Sequence, residues 1–274
     1  MKIGYQGEKG AYSEAAIYNH YGNDVEAIGY ETFEDVFDAV KNNKIDYGFL
    51  PFENTIAGSV VINYDLVLKE DVFIVAEVFF KIMHSLLSHK GNKLENIKKA
   101  YSHPHSLAQC REFLKKYKID AIPEYDTAGA AKIVKERNKK EESAIASELC
   151  AEIYGLEVIK KGIETNKNDT TKFFAFVKKD KIPKDLKKEK TSIAFKAKHY
   201  PGSLVNCLQR LSKNGINLTK LESRPIPENP WEYVFYADFE AGLDDENVKL
   251  ALSEMEATSK FIKVLGSYPK GNKS

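Results

Sequence analysis

The sequence predicts an α/β protein of two domains. Before Lys178, strand and helix signals alternate, as they do in an α/β domain with a largely parallel sheet. The segment from Lys178 to Lys190 is rich in lysine and holds one proline, which is typical of a solvated connector. After it the signals follow the order β-α-β-β-α-β, which describes a ferredoxin-like module. We therefore predict a first domain at residues 1–179, a linker at 180–190 and a second domain at 191–274.

Capping signals and apolar spacing predict the elements of the first domain. Ser13 and Thr32 can serve as N-caps of two successive helices. The apolar run Phe173–Val177 predicts a strand that is buried on both faces. The other predicted strands are Lys2–Gln6, Ile45–Leu50, which ends at Pro51, and Val72–Phe80, which forms one or two strands. The other predicted helices carry the apolar stripes Leu107, Cys110, Leu114 and Tyr117, and Ala128–Val134.

The second domain gives a compact pattern. Its first helical stripe stops at Asn214-Gly215, a good signal for a helix C-terminus. The stripes are Leu204, Leu208 and Leu211, and then Val248, Ala251, Leu252 and Met255. The predicted strands are Ser192–Ala197, Leu218–Glu222, Tyr233–Phe239 and Phe261–Leu265.

Composition and charge exclude several classes of protein. The 274 residues carry 41 basic and 40 acidic side chains, so wholesale disorder is excluded and a nucleic-acid binder is disfavoured. Three well-separated cysteines without a CxxC pair exclude a disulfide framework and disfavour a zinc ribbon or iron–sulfur site. No apolar run approaches the roughly 20 residues of a membrane helix, and the N-terminus lacks the apolar region of a signal peptide. We expect a soluble, cytoplasmic protein that binds neither nucleic acid nor membrane.

Three glycines, at positions 4, 7 and 10, lie between a predicted strand and a predicted helix. Their spacing is GxxGxxG rather than GxGxxG, which disfavours dinucleotide binding. Amide groups at a helix N-terminus can bind an anion, but a tight turn without a ligand explains the glycines equally well.

Two polar segments adjoin predicted strands. Pro51–Val60 follows a strand end, where ligands bind in open α/β sheets, although an ordinary capped loop is the alternative. Asn168–Phe173 carries hydroxyls and an ammonium that can hold a carboxylate or donate a proton. A capped turn is the alternative for this segment too.

The histidines alone define no site. His103 and His105 form an HxH pair, yet no carboxylate or cysteine at suitable spacing completes a metal site, so we predict no metal. His84 lies in an apolar stretch, where a buried histidine with satisfied hydrogen bonds is the ordinary outcome.

Seven short motifs, taken in order, resemble those of the prephenate dehydratase family over nearly the whole chain. They are Gly7-x-x-Gly10-Ala11-Tyr12-Ser13-Glu14, Pro51-Phe52-Glu53-Asn54-Thr55-x-x-Gly58-Ser59-Val60, His84-x-Leu86-Leu87, Ser102-His103-Pro104-x-x-Leu107-x-Gln109-Cys110, Thr171-Lys172-Phe173, Gly202-Ser203-Leu204-Val205 and Glu222-Ser223-Arg224-Pro225. The last two resemble motifs of the family's regulatory ACT domain.

The resemblance implies a fold, an activity and a mode of regulation. The expected catalytic domain has two lobes, like type 2 periplasmic binding proteins, with the site in the cleft. The expected reaction converts prephenate to phenylpyruvate, CO2 and water in L-phenylalanine biosynthesis, without a cofactor. L-Phenylalanine is expected to inhibit by binding the ACT domain, and the chain is expected to form homodimers or homotetramers.

The resemblance also implies roles for individual residues. Thr171 is the candidate catalytic residue. The candidate substrate-binding residues are Gly10, Ala11, Ser13, Glu53, Asn54, Thr55, Ser59, His84, Ser102, Gln109, Lys172 and Phe173. The candidate phenylalanine-binding residues are Gly202, Ser203, Leu204, Val205, Asn217, Leu218, Glu222, Ser223, Arg224 and Pro225.

Three positions depart from the family pattern. Lys172 replaces the usual arginine, which keeps the charge but loses a bidentate contact with a carboxylate. Asp169 stands where many members carry asparagine, and its charge beside an anionic substrate could be partly neutralised by Lys172. His105 replaces a common glutamine.

Three other functions fit parts of this pattern. An arogenate dehydratase would act on an amine in place of the keto group, and the motifs barely separate the two enzymes. A non-catalytic amino-acid or anion binding protein could share the fold. A purely regulatory ACT protein would not need the motifs of the first domain.

Overall fold

The computed structural model describes residues 1–226 and 229–272, so the end of the predicted second domain, residues 273 and 274, lies outside the described residues. The chain forms two compact units. The first unit consists of Met1–Ser59 and Phe79–Phe173. The second consists of Val60–Val78 and the described residues from Phe174 onward. The chain therefore passes between the units three times, after Ser59, Val78 and Phe173.

The described residues form a mixed α/β structure, as the sequence predicts. The strands are β1 (Lys2–Gln6), β2 (Glu26–Tyr30), β3 (Tyr47–Asn54), β4 (Gly58–Ser59), β5 (Val72–Lys81), β6 (Ser85–Ser88), β7 (Lys99–Ser102), β8 (Asp120–Pro123), β9 (Glu142–Ala146), β10 (Glu157–Lys161), β11 (Thr170–Lys178), β12 (Lys190–Ala197), β13 (Leu218–Ile226), β14 (Asn229–Phe239) and β15 (Ser259–Tyr268). The helices are α1 (Tyr12–Tyr21), α2 (Phe33–Lys41), α3 (Val61–Lys69), α4 (Pro104–Gln109), α5 (Arg111–Tyr117), α6 (Thr127–Arg137), α7 (Glu148–Tyr154), α8 (Ser203–Lys213) and α9 (Glu246–Thr258).

The first unit contains strands of two sheets. In one sheet, β1 pairs in parallel with β2 and β3, and β3 continues into an antiparallel pair with β4. The other sheet has the order β10-β6-β9-β7-β8. There β7 is parallel to β8 and β9, whereas β6 is antiparallel to β9 and β10. The predicted largely parallel sheet is thus corrected to two sheets, each with parallel and antiparallel pairs.

Of the two predicted helix N-caps, one is confirmed and one is wrong. Thr32 caps α2 as predicted, and the Asp35 carboxylate accepts the Thr32 backbone N–H in return, which completes a capping box. The N-cap predicted at Ser13 is wrong, because α1 begins at Tyr12 with Ala11 as its N-cap. Ser13 therefore lies inside the first turn of α1, and the Glu14 carboxylate accepts the backbone N–H of Gly10, the residue before the N-cap, at 2.5 Å.

Other element boundaries differ from the prediction. The stripe that predicted one helix from Leu107 to Tyr117 falls on two, since α4 ends at Gln109 and α5 begins at Arg111. The strand expected to end at Pro51 runs on to Asn54. Pro51 lies beyond the two β3 residues that pair with β1, so its missing N–H breaks no bond of that ladder. The apolar runs are confirmed, because β5 is one strand and Phe173–Val177 is buried throughout.

The second unit contains the predicted β-α-β-β-α-β succession, from β12 through β15. Its strands lie in the order β13-β14-β12-β15, and all neighbours among them are antiparallel. The helix α8 ends at Lys213, immediately before the predicted Asn214-Gly215 stop. On the other side of β15, Gly266 pairs with Ile74 of β5, so β5 extends this sheet.

Helices cover both faces of the second unit's sheet. On one face, Ala237 and Phe239 of β14 pack with Cys207 of α8 and Met255 of α9 in one apolar cluster. On the other face, Tyr236 contacts Tyr64 of α3, with ring centroids 5.1 Å apart. Successive strand residues point to opposite faces, so α3 lies on the face away from α8 and α9. None of the helices in the described part of the chain is long and apolar enough to cross a membrane.

Candidate active site

Asn54, the last residue of β3, is fixed in orientation by the loop that follows it. Its side-chain oxygen accepts the backbone N–H groups of Ile56 at 2.9 Å and Ala57 at 2.8 Å. The amide nitrogen must therefore point the other way, and its two hydrogens are donated to Asp169 Oδ1 at 2.6 Å and Thr171 Oγ1 at 3.0 Å. The loop geometry thus decides which atom of Asn54 meets Thr171.

Asp169 precedes β11 and is 1% exposed. Its second carboxylate oxygen accepts the Gln109 amide N–H at 2.6 Å. A buried carboxylate is costly unless hydrogen bonds satisfy it, and here each oxygen has a short amide donor. The charge of Asp169 is therefore stabilised by Asn54 and Gln109, while Lys172, the expected neutralising group, pairs with Glu53.

His84 extends this set of contacts to helix α1. Its Nε2 lies 2.6 Å from Gln109 Oε1, and its Nδ1 lies 2.6 Å from the Tyr12 hydroxyl. The side chain is 1% exposed, and burial lowers the pKa of His84 below its usual 6.5, so the ring is neutral at pH 7. Because Gln109 donates to Asp169, its oxygen must accept, which places the single ring proton of His84 on Nε2 and makes Tyr12 the donor to Nδ1.

Thr171 stands at the end of this hydrogen-bond chain, which runs Tyr12, His84, Gln109, Asp169, Asn54, Thr171. Its oxygen accepts from Asn54, so its own hydrogen can be donated elsewhere. Among the residues that the structure describes, no group receives that hydrogen. Thr171 is only 7% exposed, and the start of β11 is tied to β3 because Thr55 N donates to Thr170 O at 3.0 Å. The Thr171 hydroxyl is thus held in place, and its hydrogen stays available for donation to a ligand.

Lys172 supplies the positive charge next to this hydroxyl. It is 6% exposed, and its Nζ lies 2.8 Å from Glu53 Oε2, whose side chain is 39% exposed. Glu53 pairs with Ser59 in the β3–β4 ladder, and the Thr55 hydroxyl donates to the Asn168 backbone oxygen at 2.9 Å. The Pro51–Val60 segment and the Asn168–Phe173 segment, which the sequence marked separately, therefore lie side by side.

The glycine loop before α1 is tied to α7 rather than left open. Gly10 has φ +90° and its carbonyl accepts Ser147 Oγ at 2.6 Å and Cys150 Sγ at 3.1 Å. Burial raises the pKa of the Cys150 thiol to about 12. Both polar groups of Gly10 are thus used within the protein, while Ala11 and Ser13 are half-buried beside Tyr12.

Two candidate substrate-binding residues lie in the packed interior. Ser102 is fully buried and donates its hydroxyl to the Ile145 carbonyl at 2.6 Å. Phe173 stacks on Phe49 with ring centroids 4.9 Å apart. The residues that the structure brings together are Glu53, Asn54, Thr55, Ser59, His84, Gln109, Thr171 and Lys172.

Sequence reasoning left three members of this group out of its candidate set. Tyr12 lies inside the first motif and Asp169 in the Asn168–Phe173 segment, and their side-chain chemistry was the available signal. Glu164, which accepts the His84 backbone N–H at 2.9 Å and is 3% exposed, had no sequence signal. In the described parts of the chain, no three histidine, cysteine or acidic side chains are grouped closely enough to hold a metal ion.

The ten candidate phenylalanine-binding residues are divided between the two faces of the second unit's sheet. Ser203 and Leu204, at the start of α8, line a cavity of about 130 Å³ with Tyr233 and Phe235. Arg224 lines a different cavity of about 380 Å³ with Val234, Tyr236 and residues of α3. Gly202 has φ +83° and precedes α8, and Glu222 pairs with Lys220 at 2.8 Å. Val205, Asn217, Ser223 and Pro225 are exposed, and Leu218 is half-buried.

The smaller cavity is rich in charge. Glu232 lies between Lys196 and Lys260 on its wall, and the hydrogen bonds from these two ammonium groups lower the pKa of Glu232 to about 2. Lys198 and His199 also line it. An amphipathic cavity with apolar side chains and both signs of charge suits a small zwitterion.

Comparison with known proteins decides the family. The sequence model of the prephenate dehydratase family matches residues 3–181. The chain belongs to the prephenate dehydratase family. The resemblance to this family is thereby confirmed, and five of the seven motifs lie within the matched residues.

Full-length relatives agree with this assignment. The chain is 39% identical over 278 residues to arogenate dehydratase/prephenate dehydratase 2 of Arabidopsis thaliana, covering 98% of this chain and 73% of the relative. It is 38% identical over 272 residues to the bifunctional chorismate mutase/prephenate dehydratase of Aquifex aeolicus, covering 98% and 74%.

Solved structures resemble the whole chain. A prephenate dehydratase from Arthrobacter aurescens in complex with L-Phe has a TM-score of 0.88 and 26% identity, covering 98% of this chain and 90% of that one. A protein described as a novel type of quorum-quenching acylase, GqqA, has a TM-score of 0.90 and 31% identity, covering 98% of both chains. The likeness to a solved prephenate dehydratase therefore covers residues of both units.

Proposed function

We propose that the protein is a prephenate dehydratase that forms phenylpyruvate, CO2 and water from prephenate. The observation that carries this proposal is the Thr171 hydroxyl, which accepts a hydrogen bond from Asn54 and keeps its own hydrogen for a ligand. Family membership supports the reaction class, and the named relatives act as prephenate or arogenate dehydratases.

The chemistry explains why an oriented hydroxyl is useful. The ring carboxylate leaves as CO2, and the electron pair of the broken C–C bond moves into the ring as the ring hydroxyl departs with a proton as water. Aromatisation supplies much of the driving force, but hydroxide is a poor leaving group. A hydrogen bond aimed at that oxygen strengthens as negative charge develops on it, so it lowers the barrier more than it tightens substrate binding.

The charge of Lys172 suits the side-chain carboxylate that the substrate keeps. A cation held on the departing ring carboxylate would stabilise the ground state and slow the loss of CO2. We therefore assign the retained carboxylate to Lys172, with Glu53 holding the ammonium in position at 2.8 Å. The departing carboxylate would lie in a drier, less positive region.

Arogenate is the second candidate substrate, because several relatives are named arogenate dehydratases. It carries an ammonium where prephenate carries a keto oxygen. The two reactions share the ring chemistry at Thr171, so only the recognition of the side chain separates them. Initial rates with each substrate, compared as kcat/KM, decide between them.

The acylase activity named for GqqA finds no support in Cys150, whose thiol contacts the glycine loop before α1. Cys150 is fully buried, its pKa is raised, and its sulfur contacts the Gly10 carbonyl. A nucleophilic cysteine needs a lowered pKa and access to substrate.

For regulation, we propose that L-phenylalanine inhibits by binding beside α8 in the second unit. The β-α-β-β-α-β succession and the Gly202–Val205 motif support an ACT domain, and the relative from Arthrobacter aurescens is a complex with L-Phe. We also propose the domain bounds 1–179 and 191–274 with a linker at 180–190, and a first domain of two lobes like type 2 periplasmic binding proteins. A homodimer or homotetramer in the cytoplasm stays part of the proposal.

The test is phenylpyruvate formation from prephenate at neutral pH, with and without L-phenylalanine, on protein freed of metal by a chelator. We expect turnover that phenylalanine suppresses. Turnover without suppression would remove the regulatory part alone. Folded protein that turns over neither prephenate nor arogenate would contradict the catalytic part and favour a binding protein of the same fold.

A further inference from the structure

The chain joins the two units at three peptide bonds, and each lies close in sequence to the hydrogen-bond chain that holds Thr171. The first junction follows Ser59, five residues after Asn54. The second follows Val78, six residues before His84, and the third follows Phe173, two residues after Thr171. These three junctions are the covalent connections between the second unit and the residues that orient Thr171.

Helix α3 follows the first junction and is held to the sheet of the second unit by charged and aromatic contacts. Asp65 accepts Arg224 Nη2 and the Tyr236 hydroxyl, each at 3.0 Å. Tyr64 packs against Tyr236, and Lys220 Nζ lies 5.3 Å from the centre of the Tyr64 ring. The middle of α3 is thus attached to β13 and β14.

The end of α3 is attached to a third strand. Lys263 of β15 donates to the backbone oxygens of Leu68 at 2.7 Å, Glu70 at 2.9 Å and Val67 at 3.2 Å. These carbonyls end a helix and have no partner within it, and a lysine there also matches the helix dipole. With both attachments in place, α3 moves with the sheet as one body.

Strand β14 connects the two faces of this sheet. Tyr233 and Phe235 line the cavity beside α8, whereas Val234 and Tyr236 line the cavity beside α3. A ligand that displaces the first pair displaces the second pair too, because they alternate along one strand. Arg224 is opposite Val234 in the ladder and shares its face, so within one chain its side chain points away from Ser203.

We infer that Arg224 is a coupling residue rather than a contact of the effector, and that its ion pair with Asp65 transmits phenylalanine binding to the active site through α3. This inference rests on the proposed function, since it needs an inhibitor that binds beside α8. In this inference, phenylalanine displaces β14, and the ion pair between Asp65 and Arg224 transmits that displacement from the sheet to α3. The chain connection at Ser59 then transmits the displacement of α3 to Glu53 and Asn54.

The test separates binding of phenylalanine from inhibition by it. Asp65→Asn removes the charge that Arg224 pairs with, and Tyr236→Phe removes only the second hydrogen bond to Asp65. The matched control is Asp244→Asn, which removes another ion pair of the second unit, with Lys188 at 2.9 Å. For each protein we would measure prephenate turnover, the phenylalanine Kd by calorimetry, and the phenylalanine concentration for half inhibition.

We expect Asp65→Asn to keep turnover and Kd close to wild type, while the half-inhibiting concentration rises on the order of 10-fold, within the usual range of allosteric coupling. Tyr236→Phe should give a smaller rise, and Asp244→Asn none. Hydrogen exchange of residues 54–59 should respond to phenylalanine in the wild type and much less in Asp65→Asn.

Three results overturn the inference, and they differ in what else they refute. Unchanged inhibition in Asp65→Asn, with normal Kd, would refute the coupling role and leave the proposed function standing. A wild-type protein that neither binds nor responds to phenylalanine would refute the regulatory part of the proposed function and the inference together. A large rise in Kd in Asp65→Asn would make this ion pair part of the binding site and would also refute the inference.

Discussion

Replacing Thr171 by valine removes the proposed donor and keeps the shape of the side chain. Valine has a methyl group where threonine has the hydroxyl, so the packing of this 7% exposed position changes little. One Asn54 amide hydrogen loses its acceptor at 3.0 Å, while the other stays on Asp169. The substitution therefore tests the hydroxyl with limited damage to the surrounding hydrogen bonds.

The expected kinetic effect exceeds the expected structural effect. A positioned proton donor contributes about 10²- to 10⁴-fold in rate, which corresponds to about 2.7–5.5 kcal/mol of transition-state stabilisation. The lost hydrogen bond to Asn54 costs roughly 1 kcal/mol of folding free energy, and for a chain of this size that lowers Tm by about 2–4 °C. Thr171→Val should therefore be folded at assay temperature, with kcat lowered at least about 100-fold and KM nearly unchanged.

The assay is the initial rate of phenylpyruvate formation, with Tm measured on the same preparation. Thr171→Ser keeps a hydroxyl and should retain activity within about 10-fold, since it gives up packing but not the donor. Thr170→Val, the neighbouring residue on β11, is the matched control and should leave kcat close to wild type. If Thr171→Val turned over prephenate at more than about one third of the wild-type rate, the hydroxyl would not be the donor that such catalysis requires.

Three further changes test separate parts of the site. Lys172→Met should raise KM about 10- to 100-fold, which corresponds to the free energy of a hydrogen bond to a charged group, and should change kcat less. A large loss in kcat at unchanged KM would contradict the binding role. Gly10→Ala should lower the free energy of unfolding by about 1–3 kcal/mol in urea titrations, because φ is +90° and the new Cβ would lie 2.6 Å from Cys150 Sγ; full wild-type stability would contradict that steric account. Burial lowers the pKa of His84, so acidification below about 6.5 protonates this residue in the unfolded chain before the folded one and lowers the free energy of unfolding. His84→Gln should make that decline less steep when urea midpoints are measured between pH 7.5 and 5. An unaltered slope would contradict the assigned pKa direction.

The sequence predicted best where the cause of structure is local. The Thr32 capping box acts within one helical turn, and the apolar run Phe173–Val177 needs only burial to become a strand. Ser13 failed as a cap because α1 begins one residue before it, with Ala11 as the N-cap, so Ser13 lies inside the first turn. Propensity names the candidates for such a position, and the geometry of the turn chooses among them.

The sequence could identify residues of the candidate site, but it could not predict which of their side chains contact one another. Asn54 and Thr171 are 117 positions apart, and Gln109 and Asp169 are 60 apart. Hydrophobic periodicity describes single elements, so it carries no information on which loop meets which strand. Family motifs supplied the residue list, but only the coordinates show that Asn54 donates to Thr171 rather than accepts from it.

The polarity of the hydrogen-bond chain accounts for the aspartate at position 169, where many family members carry asparagine. Two amide nitrogens, from Asn54 and Gln109, point at this side chain, and a carboxylate can accept both. An asparagine has one oxygen and one NH2 group, so one of the two amides would have to turn over. Asn54 cannot turn, because its oxygen is held by two backbone N–H groups.

With asparagine at position 169, Gln109 would therefore reverse, and its nitrogen would face His84 Nε2. The imidazole would then carry its proton on Nδ1 and donate to Tyr12, whose hydroxyl can accept as well as donate. Every hydrogen bond from Gln109 outward changes direction, but the bond from Asn54 to Thr171 does not. Aspartate or asparagine at position 169 therefore leaves the hydrogen bond from Asn54 to Thr171 unchanged. The negative charge of Asp169 is stabilised by the hydrogen bonds that its carboxylate accepts from the side-chain amides of Asn54 and Gln109, and not by the substrate.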